Sequence, residues 1–289
     1  MARKAAHILT LLRPKQWTKN LLLLAGLIFS ANLFQFPLLY LSLVALLSFC
    51  LLSSCVYIIN DIADLEEDRR HPKKQRRPLA AGLITKSDAN IVLAVLLPLA
   101  AGLAWWINTY FLLLAAVYFL LSLVYILRFK YMVILDVFSI AFGFLLRALA
   151  GGAAIQVEIS PWLLVCTLFL ALFLALTKRR QEAINLDKNI SLRRSVLEHY
   201  PLPYLDQLIS IVTAATILAY SFYTFTAGQS TLFMLTIPFV IYGIFRYLYL
   251  VHKEMLGESP EEVLLSDTPM IVNILLWVII SIILLYFIG

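Results

Sequence analysis

Asn60, Asp61, Asp64 and Asp68 follow one another at intervals of one, three and four residues, at the end of an apolar run. On a helix that spacing puts all four on one stripe. Stacked carboxylates repel each other unless something positive lies among them. A hard divalent cation meets that need: Mg²⁺ takes a few protein oxygens and completes its shell with the oxygens of a bound phosphate. The stripe therefore suits a metal-bridged diphosphate. A solvated acidic helix end, balanced by Arg69, Arg70, Lys73, Lys74, Arg76 and Arg77 and acting as a topology signal, is the competing reading.

The elements that must position this stripe are set by composition. Of the 289 residues, 62% are hydrophobic and the mean hydropathy is +0.89, far above a soluble domain at roughly 45–50% apolar content. Apolar runs near 20–36, 38–60, 89–107, 109–127, 132–154, 160–178, 206–227, 230–251 and 269–288 approach the ~20 residues of helix that cross a bilayer. Only helices satisfy their backbone groups at that depth without a closed barrel. The expected fold is all-α: a polytopic bundle of about nine transmembrane helices, forming a single integral membrane domain over 1–289. The first run lacks a small-residue cleavage site and is followed at once by another span, so it does not read as a signal peptide.

Charge sets the orientation. Of 23 Lys and Arg residues, 22 fall before the first span, in alternate loops after it or near the end of the eighth span; the remaining one, Arg147, lies inside the fifth span. The positive-inside rule puts the N-terminus and the charged loops in the cytoplasm and the C-terminus outside, as expected for a multi-pass protein of a bacterial-type plasma membrane. A net charge of +6 could suggest nucleic acid. The basic residues are instead confined to loops beside a membrane and interleaved with carboxylates, which fits anionic lipid and phosphorylated substrates and argues against nucleic acid. Cys50, Cys55 and Cys166 fall inside spans without metal-ligand spacing and read as small apolar residues. Asp136 and Arg147 are intramembrane charges about three turns apart, and such groups normally face a bundle interior. Arg147 serves either a structural pairing or a substrate phosphate.

The segment Asn60-Asp61-Ile62-Ala63-Asp64-Leu65-Glu66-Glu67-Asp68-Arg69, followed by Arg77-Pro78-Leu79-Ala80-Ala81-Gly82, resembles the first aspartate-rich motif of the UbiA superfamily of intramembrane prenyltransferases. That resemblance implies a helix bundle with polar cytoplasmic loops capping a cavity, and Mg²⁺ held by Asn60, Asp61, Asp64 and Asp68 against a diphosphate. The family's second motif normally carries another aspartate cluster. Here the sequence reads Thr177-Lys178-Arg179-Arg180-Gln181-Glu182, three cations where metal ligands would stand. The departure points to phosphate groups bound directly by Lys and Arg.

One branch of the superfamily, the decaprenyl-phosphate phosphoribosyltransferases, is similar in this respect. It is also similar in Arg13-Pro14-Lys15-Gln16-Trp17-Thr18-Lys19-Asn20, His71-Pro72, Leu135-Asp136-Val137, Gly143 to Gly151, Arg194 to Tyr200 and Ser266-Asp267-Thr268-Pro269. The branch implies phosphoribosyl diphosphate as donor and a polyprenyl phosphate as acceptor. Displacement at the anomeric carbon would release diphosphate, a step towards lipid-linked arabinose for cell-wall arabinan. The stripe is then the catalytic and metal-binding set. Lys15, Lys19, Lys73, Arg76, Arg77, Lys130, Arg147, Lys178, Arg179, Glu182, Arg194 and Tyr200 are candidates for substrate binding. For Lys15 and Lys19, one turn apart, headgroup anchoring explains the positions almost as well. The expected partners are these two substrates, the lipid bilayer and a second copy of the chain in a homo-oligomer. The alternatives are a UbiA-type enzyme moving a prenyl group to an aromatic or lipid acceptor, and a transporter. A transporter would carry its polar residues near the midplane rather than at one face.

Overall fold

The computed structural model describes residues 2–188, 195–226, 231–253, 263 and 266–288. The regular elements among these residues are all helical, and eight helices are long and apolar enough to cross a membrane. The first expected span, 20–36, is different. Residues Pro14–Leu24 form a 3₁₀ helix, Ala25–Phe29 one short α-helix (α2), and the chain then turns. At ~2.0 Å rise per 3₁₀ residue against ~1.5 Å for an α residue, Pro14–Leu24 is longer along its axis than an α-helix of the same residue count. Irregular backbone at this depth is tolerated where protein covers it, and Leu23, Ala25 and Leu27 are buried.

The chain divides into two compact units. The first comprises 1–128 and 146–158. It holds the N-terminal helix α1 (Ala2–Leu11), α3 (Phe36–Ala63), α4 (Leu65–Arg70), α5 (Lys86–Ile107), α6 (Thr109–Leu127) and the second half of α7 (Leu135–Ile155). α3 is its centre, packed against the 3₁₀ segment, α5 and α6. Where α3 meets its neighbours it offers small residues, Ser42, Ala45, Ser48, Ser53 and Ser54, all buried. Lipid supplies little hydrophobic drive between helices, so close approach and hydrogen bonds hold such interfaces. Accordingly the Ser48 hydroxyl donates to the Ala100 carbonyl at 2.9 Å. Trp17 donates to Ser54 at 3.0 Å and Asn20 to Ser53 at 3.1 Å.

The 3₁₀ segment and α7 approach each other closely at Gly151. A Cβ on Gly151 would stand 2.0 Å from the Leu23 carbonyl oxygen. In an exposed helix Gly→Ala gains about 1 kcal/mol of propensity; at Gly151 the clash outweighs it, since overpacking typically costs ~1–3 kcal/mol or more. Gly151→Ala should lower the melting temperature in detergent, while Gly102→Ala, with nothing near its added methyl, should leave it unchanged or raise it.

The second unit comprises 129–145 and 159–289. α8 (Pro161–Lys188) packs along α9 (Leu202–Thr226), and α10 (Ile237–Lys253) packs on α9 and on α11 (Thr268–Ile283). The first half of α7 adds Val137 and Ala141 to a core that includes Phe173, Leu176, Leu205, Ile209 and Tyr247. Asp267 caps α11 by accepting from the Met270 amide at 2.9 Å, and Arg246 grips the same carboxylate at 3.1 and 2.8 Å. The Ser266–Pro269 motif thus fixes a helix start in this fold. Cys50, Cys55 and Cys166 are free, buried thiols.

Candidate functional site

In the first unit the stripe sits where α3 gives way to α4. α3 ends at Ala63, and Asp64 leaves helical geometry at φ −93°, ψ 11°. The helical ladder nevertheless survives the join: the Asp64 amide donates to Asn60 O at 2.9 Å and the Asp68 amide to Asp64 O at 2.8 Å. The spacing therefore still directs the three aspartates inward. Asp61, Asp64 and Asp68 are 2%, 5% and 1% exposed, whereas Glu66 and Glu67 on the same segment face outward. Asn60 is half-buried.

The loop after α4 brings cations to these carboxylates. His71 Nδ1 accepts from the amides of Lys73 and Lys74 at 3.2 and 3.3 Å, closing a tight turn. Leu79 and Ile84 anchor the far side in a small core with Leu11, Ile58 and Leu65. Gly82 supplies the left-handed residue, φ 72°, at which the loop reverses. Held at both ends, the loop directs Arg77 to Asp61 at 3.1 Å and to Asp68. Lys74 Nζ lies 3.9 Å from Asp68 Oδ1.

A further cation, which stands in the N-terminal motif but is given no role by the sequence, joins them. Arg13 sits in the left-handed region, φ 52°, between α1 and the 3₁₀ helix, and its guanidinium bonds Asp61. It also covers the Tyr57 ring at 5.0 Å. Burial holds it below its ordinary pKa, against the opposing pull of Asp61. Its motif marks it, but no spacing links it to Asp61, 48 residues later. Lys73 and Arg76 point outward, Lys15 is exposed and Lys19 half-buried. Deeper in this unit Arg147 is buried, donating to Asn20 Oδ1 at 2.8 Å and to the Tyr118 hydroxyl at 2.7 Å, with that ring beneath it at 4.6 Å. The Asn20 of the N-terminal motif is thus a partner of the intramembrane arginine.

As ligands for a divalent cation the stripe offers only oxygen, as Mg²⁺ prefers. Asp68 Oδ1 is buried without a hydrogen-bond partner, a lone pair available to a cation. Among the described residues, however, no three acidic, His or Cys side chains converge on a common point. The donor set fits the metal chemically, and the chain's own arginines stand among the carboxylates.

The second unit has its own charged cluster. Asp136, fully buried at the start of α7, accepts from Arg179 Nε at 2.7 Å and from the Tyr200 hydroxyl at 2.6 Å. Arg179, 2% exposed, also bonds Glu182. The Tyr200 hydroxyl in turn accepts from the Ile134 amide at 2.6 Å. Ile134 is a β-branched residue held at φ 71°, strain of the kind that gathers at functional sites. Burial, and then the bond to Asp136, push the Tyr200 hydroxyl above its ordinary pKa, so it remains a donor. Lys130 is buried beside Tyr131. Lys178 is half-buried on α8. Arg180 turns away to Asp206 at 2.5 Å. Arg194 lies outside the described residues. Asp136 and Arg147, which share a helix, are satisfied by different elements in different units.

The chain matches the UbiA prenyltransferase family over residues 20–265. It is 32% identical over 282 residues to a protein of Mycolicibacterium smegmatis named decaprenyl-phosphate phosphoribosyltransferase, covering 92% of this chain and 88% of that one. It is 34% identical over 277 residues to the protein of the same name from Corynebacterium glutamicum, covering 92% and 83%. Among solved structures, a UbiA homolog from Archaeoglobus fulgidus bound to GPP and Mg²⁺ shares the fold with a TM-score of 0.74 at 22% identity, over 96% of this chain and 99% of that one. Motif, helical membrane architecture and family match agree, and the chain belongs to the UbiA prenyltransferase family.

Proposed function

We propose that this chain transfers the 5-phosphoribosyl group of phosphoribosyl diphosphate to a polyprenyl phosphate of decaprenyl type. It would do so at the cytoplasmic face of a bacterial plasma membrane, on the way to lipid-linked arabinose. The observation that carries the reading is the similarity, over 92% of this chain, to the two phosphoribosyltransferases. The cationic Lys178 and Arg179 at the second motif support it, because a donor with a second phosphate asks for such groups. The reading takes residues 1–289 as one functional domain with the N-terminus inside.

In the reaction an acceptor phosphate oxygen forms a bond to C1 of the ribose while the C1–oxygen bond to diphosphate breaks, its electron pair leaving with the diphosphate. The acceptor is already anionic near neutral pH, so no strong base is required. Asn60, Asp61, Asp64 and Asp68 would hold Mg²⁺, which supplies positive charge to the departing diphosphate. We assign Arg77, which its loop holds on Asp61 and Asp68, to the same anion. In the second unit Asp136 and Glu182 hold the Arg179 guanidinium in one orientation, and we assign Arg179, Lys178 and Lys130 to phosphate binding by that unit. Tyr200 positions Asp136. The half-buried Lys19 and the exposed Lys15 are assigned to the acceptor phosphate.

The test is product formation by the purified chain in detergent from labelled phosphoribosyl diphosphate and decaprenyl phosphate. Labelled lipid is expected only with both substrates and Mg²⁺. Transfer from labelled prenyl diphosphate, with none from phosphoribosyl diphosphate, would overturn the assignment in favour of a prenyltransferase.

A further inference from the structure

Two carboxylates of the stripe, Asp61 and Asp68, are already paired with the chain's own cations. Asp61 Oδ1 is shared by Arg13 and Arg77, and Asp68 is held by Arg77 with Lys74 at 3.9 Å. A divalent cation arriving alone would have to enter a cluster with Arg13, Arg77 and Lys74 in place, and like charges within ~4 Å repel by about 1 kcal/mol in water and by several times that near a protein. Arriving with a diphosphate, it brings the anion that a displaced guanidinium can follow, and the planar fork of Arg matches phosphate oxygens.

The two arginines are not equivalent. Arg13 is fixed by its left-handed backbone and by the Tyr57 ring at 5.0 Å. Arg77 is placed by a loop whose Leu79 and Ile84 anchors do not depend on the ion pair, so its side chain can leave Asp61 and Asp68 without unmaking the loop. Resting on the reading that the stripe takes a metal-bound diphosphate, we propose that Arg77 is a resident counter-ion. It excludes the divalent cation while the donor is absent, and it transfers from Asp61 and Asp68 to the diphosphate when both arrive. Arg13 remains on Asp61 throughout. Metal and diphosphate then bind with positive cooperativity, each raising the affinity for the other by the same factor.

The experiment measures Mn²⁺ binding to the full chain in detergent by electron paramagnetic resonance, and separately labelled inorganic diphosphate binding at saturating Mn²⁺. In Arg77→Gln, Mn²⁺ alone should bind about tenfold tighter than in the wild type, and diphosphate about tenfold weaker. A merely structural role would move both affinities the same way. Arg77→Lys, which keeps the charge and loses the fork, should show the same two signs at smaller size and carries the test where Arg77→Gln yields no folded protein. Mn²⁺ affinity that is unchanged or lowered in these variants overturns this inference alone. Absence of Mn²⁺ binding in every variant, and in the wild type with diphosphate present, overturns the metal reading and this inference with it.

Discussion

Asp64→Ala is expected to abolish phosphoribosyl transfer, with turnover falling by about a thousandfold or more, while Glu66→Ala two residues away leaves it within about twofold. The contrast follows from burial. Asp64 is 5% exposed between Asp61 and Asp68, whereas Glu66 is exposed and pairs with Arg69, itself half exposed, at 3.0 Å; such surface pairs contribute little. If the departing diphosphate is stabilised through the stripe, removing one carboxylate costs ~4 kcal/mol of transition-state stabilisation, which at 1.36 kcal/mol per tenfold is about three orders of magnitude. The two-substrate assay measures it, with a thermal melt in detergent to establish folding. Full Mg²⁺-dependent turnover in folded Asp64→Ala would sink the assignment of the stripe.

The second large effect concerns Asp136. Removing its carboxylate leaves the Arg179 guanidinium, 2% exposed, without the oxygen that its Nε meets at 2.7 Å, and deprives the Tyr200 hydroxyl of its acceptor. Breaking a buried ion pair from one side typically costs ~3–5 kcal/mol, more than the pair itself contributes, because the remaining charge stays buried. Asp136→Ala should therefore be strongly destabilised in detergent. The double variant Asp136→Leu with Arg179→Met, which removes both charges, should recover a large part of that loss and remain inactive. Equal melting temperatures for wild type and Asp136→Ala would show that the cluster does not hold the start of α7.

The rest of this second cluster shows where sequence reading reaches its limit. Arg179 and Glu182 are three residues apart on a helix, so their pairing follows from spacing. Asp136 and Tyr200 are 43 residues before and 21 after Arg179, and no periodicity links them. Asp136 instead suggested a relation to Arg147 on its own helix, and the two turned out to be satisfied by Arg179 and Tyr200 in one case and by Asn20 and Tyr118 in the other. A buried charge takes the partner that neighbouring elements bring, and the folded chain chooses those elements.

What the sequence by itself determined is whatever depends on local periodicity and solvent: the helical membrane fold, the eight long spans, and the inward stripe of Asp61, Asp64 and Asp68. Hydrocarbon leaves the backbone few alternatives, and a helix places residues three and four apart on one face. What only the tertiary structure decided is whatever depends on chain segments far apart in sequence. The first span became a 3₁₀ segment lying against Gly151 because the glycine lets two backbones touch. The stripe acquired Arg13, 48 residues upstream, as a standing counter-ion. Charges in a low-dielectric setting must be neutralised, but composition names only the candidates. The loop anchored by Leu79 and Ile84, and the left-handed turn at Arg13, decide which cations arrive.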